Sequence, residues 1–457
     1  MNRIVRRVVV ATGLLAFVCQ SPAVAHSWQE DKPQDTSSND AGAAGFDSAL
    51  QLASFDQVWE TVRKTHWDFA PLEEKWNQAR EELRPKVESA TSINEVRALI
   101  EELIGVVKLS HYALVPSDEY HDLNETGGPG GEGAIGMEAR LVGDQIVVTK
   151  VRTGSPAEAA GIQPGWVLEK IGKKTGEEII EAARDTGKHG VMRADTVAGL
   201  ICDVLASGEP GSEISLTLLD HGDSARELTL VHAPAGGERE VFANLPPIMV
   251  EYEERLIDDE IGYIRFNAFI GAPRLAASFQ QSIARMRASK GLVIDLRGNR
   301  GGIVVLVAGM CGWLASERKP LGEMKMAGTG AYRLTPNPRK PRFEGPVAVL
   351  IDECSISSAE IMAGGIKDLE LGRVFGKTSA GLALPSIVVK LPNGDRFQYA
   401  IASWTSASGE ALEGVGVIPH ETVELTRERL KEDVDPVLTA ALEWIRRPAS
   451  STGQPEK

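Results

Sequence analysis

Two short apolar runs restrict the fold more than any other feature of the chain. Residues 292–296 (Leu-Val-Ile-Asp-Leu) and 347–351 (Val-Ala-Val-Leu-Ile) read as buried strands, and each passes through a loop into a helical stretch. Residues 261–266 read as a further strand, 275–286 as an amphipathic helix, and 303–314 and 358–367 as helices. Apolar strands alternating with helices predict a layered α/β core. Two loops leave buried strands and run into helices: Arg297-Gly298-Asn299-Arg300-Gly301-Gly302 and Asp352-Glu353-Cys354-Ser355-Ile356-Ser357. In an open α/β sheet that edge is where sites form.

The core so defined spans 245–447, and two other patterns precede it. Over 45–127 apolar residues recur at helical spacing, as in Phe55, Val58, Trp59, Val62 and again in Val96, Leu99, Ile100, Leu103. This helical domain ends in Leu109-Ser110-His111-Tyr112, and a Gly-rich break follows. From 130 to 235 the pattern is β-rich, with strands at 146–151, 167–171, 214–219 and 228–231. Ser155-Pro156 opens a short helix that Gly161 ends, Pro164-Gly165 turns the chain into the next strand, and 177–205 reads as one long helical insertion.

The ends carry other information. Arg3, Arg6 and Arg7 precede an apolar run from Val8 to Val18 and the small residues Ala23-Val24-Ala25, so 1–25 read as a signal peptide and the chain as exported, periplasmic or extracellular. The run is too short for a bilayer-spanning helix, which needs roughly 20 apolar residues, so no stable membrane anchor is expected. Residues 26–44 read as a linker and 448–457 as a disordered tail. The 457-residue chain has net charge −15; removing 1–25, with three arginines and no acid, leaves −18. That acidity argues against nucleic acid as a partner. Of the four cysteines Cys19 lies within 1–25; the three that would remain, Cys202, Cys311 and Cys354, are widely spaced and odd in number, and no H-E-x-x-H occurs. Neither a disulfide framework nor a metal site is expected, and no cofactor is called for.

Ser357 stands where a loop meets a helix, whose first N–H groups point outward and can stabilise an oxyanion. Taken alone it reads rather as a capping serine, with Glu360 three residues on completing a capping box. Gly301-Gly302 permits close backbone approach and could supply a second oxyanion donor; alone it is equally a tight turn.

The stretch Gly291-Leu292-Val293-Ile294-Asp295-Leu296-Arg297-Gly298-Asn299-Arg300-Gly301-Gly302 resembles the signature loop of C-terminal processing peptidases and their tricorn-core relatives. Ser355-Ile356-Ser357-Ser358-Ala359-Glu360 resembles their nucleophile segment, and Gly133 to Ala233 their PDZ domain. The resemblance implies an exported serine endopeptidase with a ClpP/crotonase-like α/β core, a helical N-terminal domain and a β-rich PDZ-like domain. Ser357 is the implied nucleophile; the Ser358 amide and Gly301 or Gly302 are the implied oxyanion donors. Peptides or proteins are the implied substrates. The loop Ala134-Ile135-Gly136 would hold a C-terminal tail added to a sheet edge.

One departure bears on mechanism. Many relatives use a Ser–Lys dyad, but Leu382 stands at the lysine position, and leucine cannot take a proton. The tricorn-like branch uses a Ser-His pair and a later Glu, which Ser110-His111 and Glu413 match. A serine hydroxyl needs a base with a pKa near the working pH, and histidine supplies one, so activity should fall on acidification through about 6–7. Lys377 is the rival base. His420, where the motif usually closes with Asp, is read as outside the chemistry. The missing lysine also motivates a second function, a catalytically silent PDZ-containing peptide-binding protein. A crotonase-like enzyme acting on acyl thioesters is a weaker third reading.

Overall fold

The computed structural model describes residues 46–125, 131–189, 191–242, 244–432 and 434–447. The signal, linker and tail readings at 1–25, 26–44 and 448–457 lie outside the described residues.

Near the N-terminus, helices α1 (Ser48–Thr65), α2 (Glu73–Ser89) and α3 (Ile93–Ile104) pack their apolar faces together. The Asp47 carboxylate caps α1 and the Ser92 hydroxyl caps α3, each accepting backbone N–H groups that the first turn leaves free. Pro85 sits inside α2, in a turn that nevertheless remains helical. The apolar cluster of these helices also takes in Leu391, Phe397 and Tyr399 from the far end of the sequence. Strand β1 (Ala113–Val115) explains that union, because it pairs antiparallel with a late strand, Ala113 opposite Gln398. Arg97 reinforces it with a buried bidentate contact to Asp395 at 3.0 and 2.7 Å.

The middle of the chain forms an antiparallel sheet in the order β2 (Met137–Val142), β3 (Gln145–Val151), β4 (Val167–Ile171), β5 (Glu213–Leu219), β6 (Ala225–Val231). Ser155 caps the short helix Pro156–Ala159, as its sequence suggests. The insertion between β4 and β5 is two helices instead of one, α4 (Gly176–His189) and α5 (Ala194–Leu205). Folding back brings Ile179, Ala183, Val197, Leu200 and Ile201 all into the sheet's apolar cluster, which one straight rod could not do.

The remaining chain builds a mixed sheet ordered β7 (Tyr252–Ile257), β8 (Ile261–Phe266), β9 (Gly291–Asp295), β10 (Val347–Ile351), β11 (Arg373–Gly376), ending on Glu421–Thr422. From β8 onward the pairings are parallel, with Leu292 beside Val347 and Ile351 beside Gly376. Every residue of β9 and β10 is buried, since helices cover both faces. On one face lie α6 (Ala272–Met286), α7 (Val304–Cys311) and α8 (Ser358–Asp368); on the other lies α9 (Pro436–Arg446). Helix α7 is shorter than 303–314, ending in the turn that follows Cys311. A hairpin of β12 (Ser386–Lys390) and β13 (Arg396–Ala400) leaves this core, and β13 receives β1. Among the described residues no helix is long and apolar enough to cross a membrane.

Candidate active site

The two parallel strands β9 and β10 end side by side, so their loops meet. The Asp352 carboxylate fixes the meeting, accepting the N–H of Gly298 at 2.8 Å and that of Cys354 at 3.1 Å. Asn299, fully buried, adds three links. Its carbonyl accepts Ile356 N–H at 2.9 Å, its amide donates to Phe266 O at 2.7 Å, and its Oδ1 accepts Gly301 N–H at 2.9 Å. Gly301 lies so close to the second loop that a Cβ would stand 2.7 Å from Ser357 Cβ and 3.0 Å from Ser358 N. Gly302, at φ +133°, has room only for glycine because a Cβ would meet Phe269 O at 2.6 Å. Its carbonyl accepts the Ser358 hydroxyl at 2.8 Å.

Ser357 immediately precedes α8 and is only 1 % exposed. Its φ of +56° is uncommon for a residue with a Cβ and costs about 1–3 kcal/mol. The turn is held from both sides, since Ser357 N–H is shared between Leu382 O and Glu360 Oε2, each at 3.0 Å. Glu360 thus makes the returning half of a capping box, while Ser357 Oγ has no hydrogen-bond partner.

His111 enters from the N-terminal region, two residues before β1, also at positive φ, +63°. Its Nδ1 lies 2.5 Å from Ser110 Oγ, and its buried Nε2 has no partner. Ser110 Oγ donates to Glu413 Oε2 at 2.9 Å, and Ser110 N–H donates to Glu413 Oε1 at 2.7 Å. The carboxylate therefore reaches the imidazole through Ser110. Glu413 Oε2 also accepts Ala383 N–H at 3.1 Å, next to the Leu382 carbonyl that holds Ser357. One short segment, 381–383, thereby joins the Ser357 turn to the Ser110–His111–Glu413 group.

Burial sets the electrostatics. It pushes the His111 imidazole down to about 3, far below the 6–7 expected from sequence. Burial also raises the Glu413 carboxyl, against the bonds from Ser110 and Ala383. Lys377 is differently placed. Burial opposes its charge, but the carboxylates of Glu353 and Asp195 outweigh that and raise it further, with Asp195 2.9 Å away. It stands as a paired cation. Leu382 is buried with Ile356, Ala380 and the apolar cluster of the β-rich sheet. The His420 ring accepts Val374 N–H at 3.0 Å, a backbone-pairing contact.

In the loop that the sequence offers for a C-terminal tail, Ile135 donates its N–H to Ala206 O and accepts Ala157 N–H. Ala134 pairs with Ser207 on one side and Ala233 on the other, and Gly136 O accepts Arg152 N–H. Three residues here went unremarked in the sequence: Asn299, Ser379 and, beyond its capping role, Glu360. The signal for Glu360 was an acid followed by Ile361, Met362 and Ala363 on a helix buried along its length.

Comparison with known proteins bears on this arrangement. Residues 260–423 match Peptidase family S41, and residues 52–105 match the Tricorn protease C1 domain. The stretch 260–423 is thus similar to an S41 peptidase domain. Among curated relatives, the "Probable CtpA-like serine protease" of Staphylococcus aureus (strain COL) is 24% identical over 331 residues, 72% of this chain and 60% of that protein. The "Carboxy-terminal processing protease CtpA" of Bacillus subtilis (strain 168) is 23% identical over 353 residues, covering 77% and 69%. The chain thus spans under two thirds of the staphylococcal relatives' length. Among solved structures, a photosystem II D1 C-terminal processing protease superposes with TM-score 0.56 at 18% identity, covering 88% of this chain and 98% of that one. Mature CPAF complexed with lactacystin gives 0.55 at 12%, covering 87% and 98%. These likenesses establish the S41 fold, mixed α/β with a helical N-terminal region. The similarity is to serine-type peptidases, over residues 260–423 for the family and over 72–77% of the chain for the curated relatives.

Proposed function

We propose that this S41 peptidase is an exported endopeptidase that cleaves extracytoplasmic polypeptides with Ser357 as nucleophile and His111 as base. The observation that carries the reading is a pair of buried, unpartnered atoms, Ser357 Oγ and His111 Nε2, in a site where neighbouring polar groups are bonded. Buried polar atoms normally find partners, so two left open across one shared segment suit a proton transfer between them. Ser110 and Glu413 fix the ring through Nδ1, which leaves Nε2 as the acceptor. As Ser357 Oγ attacks the scissile carbonyl its proton passes to His111 Nε2, and the same proton then goes to the leaving amine. Water repeats the sequence to release the acyl group. The Ser358 N–H is the first oxyanion donor. Gly302 is the better second, because Gly301 N–H is already given to Asn299.

The core is read as ClpP/crotonase-like and the β-rich region as PDZ-like, with β2 at the edge of its sheet and α5 packed beside it. Capture of a C-terminal tail along β2 fits that layout. Gly199 of α5 lies against Cys354 and Arg140, so an incoming tail would have to shift the 352–354 loop. The silent peptide-binding alternative is not favoured, since it gives Ser357 and His111 no reason to stand unpartnered.

A fluorophosphonate probe tests the reading. Wild type should label and Ser357→Ala should not, with His111→Ala labelling far more slowly and Lys377→Ala normally. Labelling that survives Ser357→Ala would refute the nucleophile. Export is tested separately, by the mature N-terminus of the secreted protein, expected at His26.

A further inference from the structure

The acid of the α8 first turn has more to do than cap a helix. Glu360 is fully buried, and each of its oxygens accepts two hydrogen bonds. Oε2 takes the N–H of Ser357 and of Leu382, both at 3.0 Å; Oε1 takes the Ser379 hydroxyl and the N–H of Gly381, both at 2.7 Å. Ser379 Oγ in turn accepts Val417 N–H at 2.6 Å, and Gly381 O accepts Gly414 N–H at 2.8 Å. The nucleophile turn, the 379–383 segment and the loop carrying Glu413 therefore converge on one carboxylate.

Resting on the proposed roles of Ser357 and His111, we propose that Glu360 is a positioning residue that sets the nucleophile against its base. Three of its four partners are backbone N–H groups, which cannot reverse direction, so only a group with two accepting oxygens satisfies them. Burial opposes the charge and holds this carboxyl up to about 7, while the four bonds favour its ionised form. That cost is sustained at a place where an apolar residue would pack, and the gain is registry between segments far apart in sequence. Glutamine has the same shape but must turn its NH2 either toward Ser357 and Leu382 or toward Gly381. Each choice sets donor against donor and displaces the Ser357 turn or the segment that supports Glu413. A displacement of about 1 Å at a reacting centre can cost on the order of 10²-fold in rate.

The test follows the fluorophosphonate reaction with purified full-length protein, separating maximal inactivation rate from half-saturating probe concentration. Glu360→Gln should lose about 10²-fold in maximal rate with half-saturation within about twofold. Glu360→Asp, which keeps both accepting oxygens, should recover part of the loss. A folded Glu360→Gln with the wild-type rate, or a loss confined to half-saturation, would overturn the proposal. If Glu360→Gln does not fold, Ser379→Ala decides. It removes one donor and the link to Val417, so a fall in maximal rate is expected, and an unchanged rate overturns the proposal. Labelling that persists in Ser357→Ala would instead strike the nucleophile assignment itself, whatever Glu360 does.

Discussion

The backbone carbonyl of Leu382 accepts the N–H of Ser357 at 3.0 Å, so the residue that the sequence reading sets at the lysine position holds the proposed nucleophile through its main chain. Its side chain faces the apolar cluster of the β-rich sheet, 3 % exposed. A lysine there would bury an ammonium without a partner. Leu382→Lys should therefore destabilise the protein by about 3–5 kcal/mol at neutral pH. Placed in a His111→Ala background, it should restore no probe labelling. Calorimetry and labelling check the two outcomes; recovered labelling would show that a lysine can serve this site after all.

The chain of contacts from Glu413 through Ser110 to His111 orders the effects of substitution. His111→Ala should cost several orders of magnitude in labelling rate, because it removes the proton acceptor. Ser110→Ala releases Nδ1 and Glu413→Gln removes the carboxylate behind Ser110, both leaving the acceptor in place, so each should cost less, on the order of 10²-fold. Their double variant should be little worse than either single one, since both cut the same chain. Additive losses in that cycle would mean that Glu413 acts on something other than His111.

The buried imidazole also predicts how stability varies with acidity. His111 holds no proton in the folded state until about pH 3, whereas in the unfolded chain it gains one near 6.5. Between these values the unfolded state binds more protons, so its contribution to stability falls as pH drops from about 6.5 toward 3. His111→Phe should flatten that part of the profile. Urea midpoints for both proteins from pH 7 to pH 4 provide the check, and parallel curves would mean the ring is solvated in the folded protein.

The sheet and its two loops were legible because local signals suffice there. Apolar runs bounded by Gly and Ser place β9, β10 and α8 within a residue or two, and Val167–Ile171 forms its strand where the turn at Pro164-Gly165 points. The break between α4 and α5 was not read from the sequence; the shared sheet face is what requires the reversal. The route of His111 was hidden for a different reason. It depends on Ala113 pairing with Gln398 and Arg97 reaching Asp395, almost 300 residues along the chain. The ground for proposing Gly302 over Gly301 as donor was equally invisible, because it is the bond from Gly301 N–H to the Asn299 side-chain oxygen.

The contacts of the β-rich region predict the result of removing it. Excising 133–233 would strip cover from Cys354, Ile356, Ala380 and Leu382, which share its apolar cluster. It would also take away Arg193, which donates to Ser379 O at 2.7 Å and Thr378 O at 2.9 Å. The shortened protein should lose labelling and near-ultraviolet circular dichroism together. A shortened protein that labels at the wild-type rate would show that the region can be removed cleanly.

That shared cluster limits how freely the region could be exchanged between related enzymes. A β-rich unit transplanted from another peptidase would arrive shaped for that enzyme's nucleophile loop and would meet Ile356 and Leu382 as a mismatched surface. Successful chimeras should therefore carry the matching residues at 354, 356, 380 and 382 along with the transplant. Lineages that alter one side of this seam should show compensating changes on the other, so the unit of inheritance is the region together with the floor of the active site.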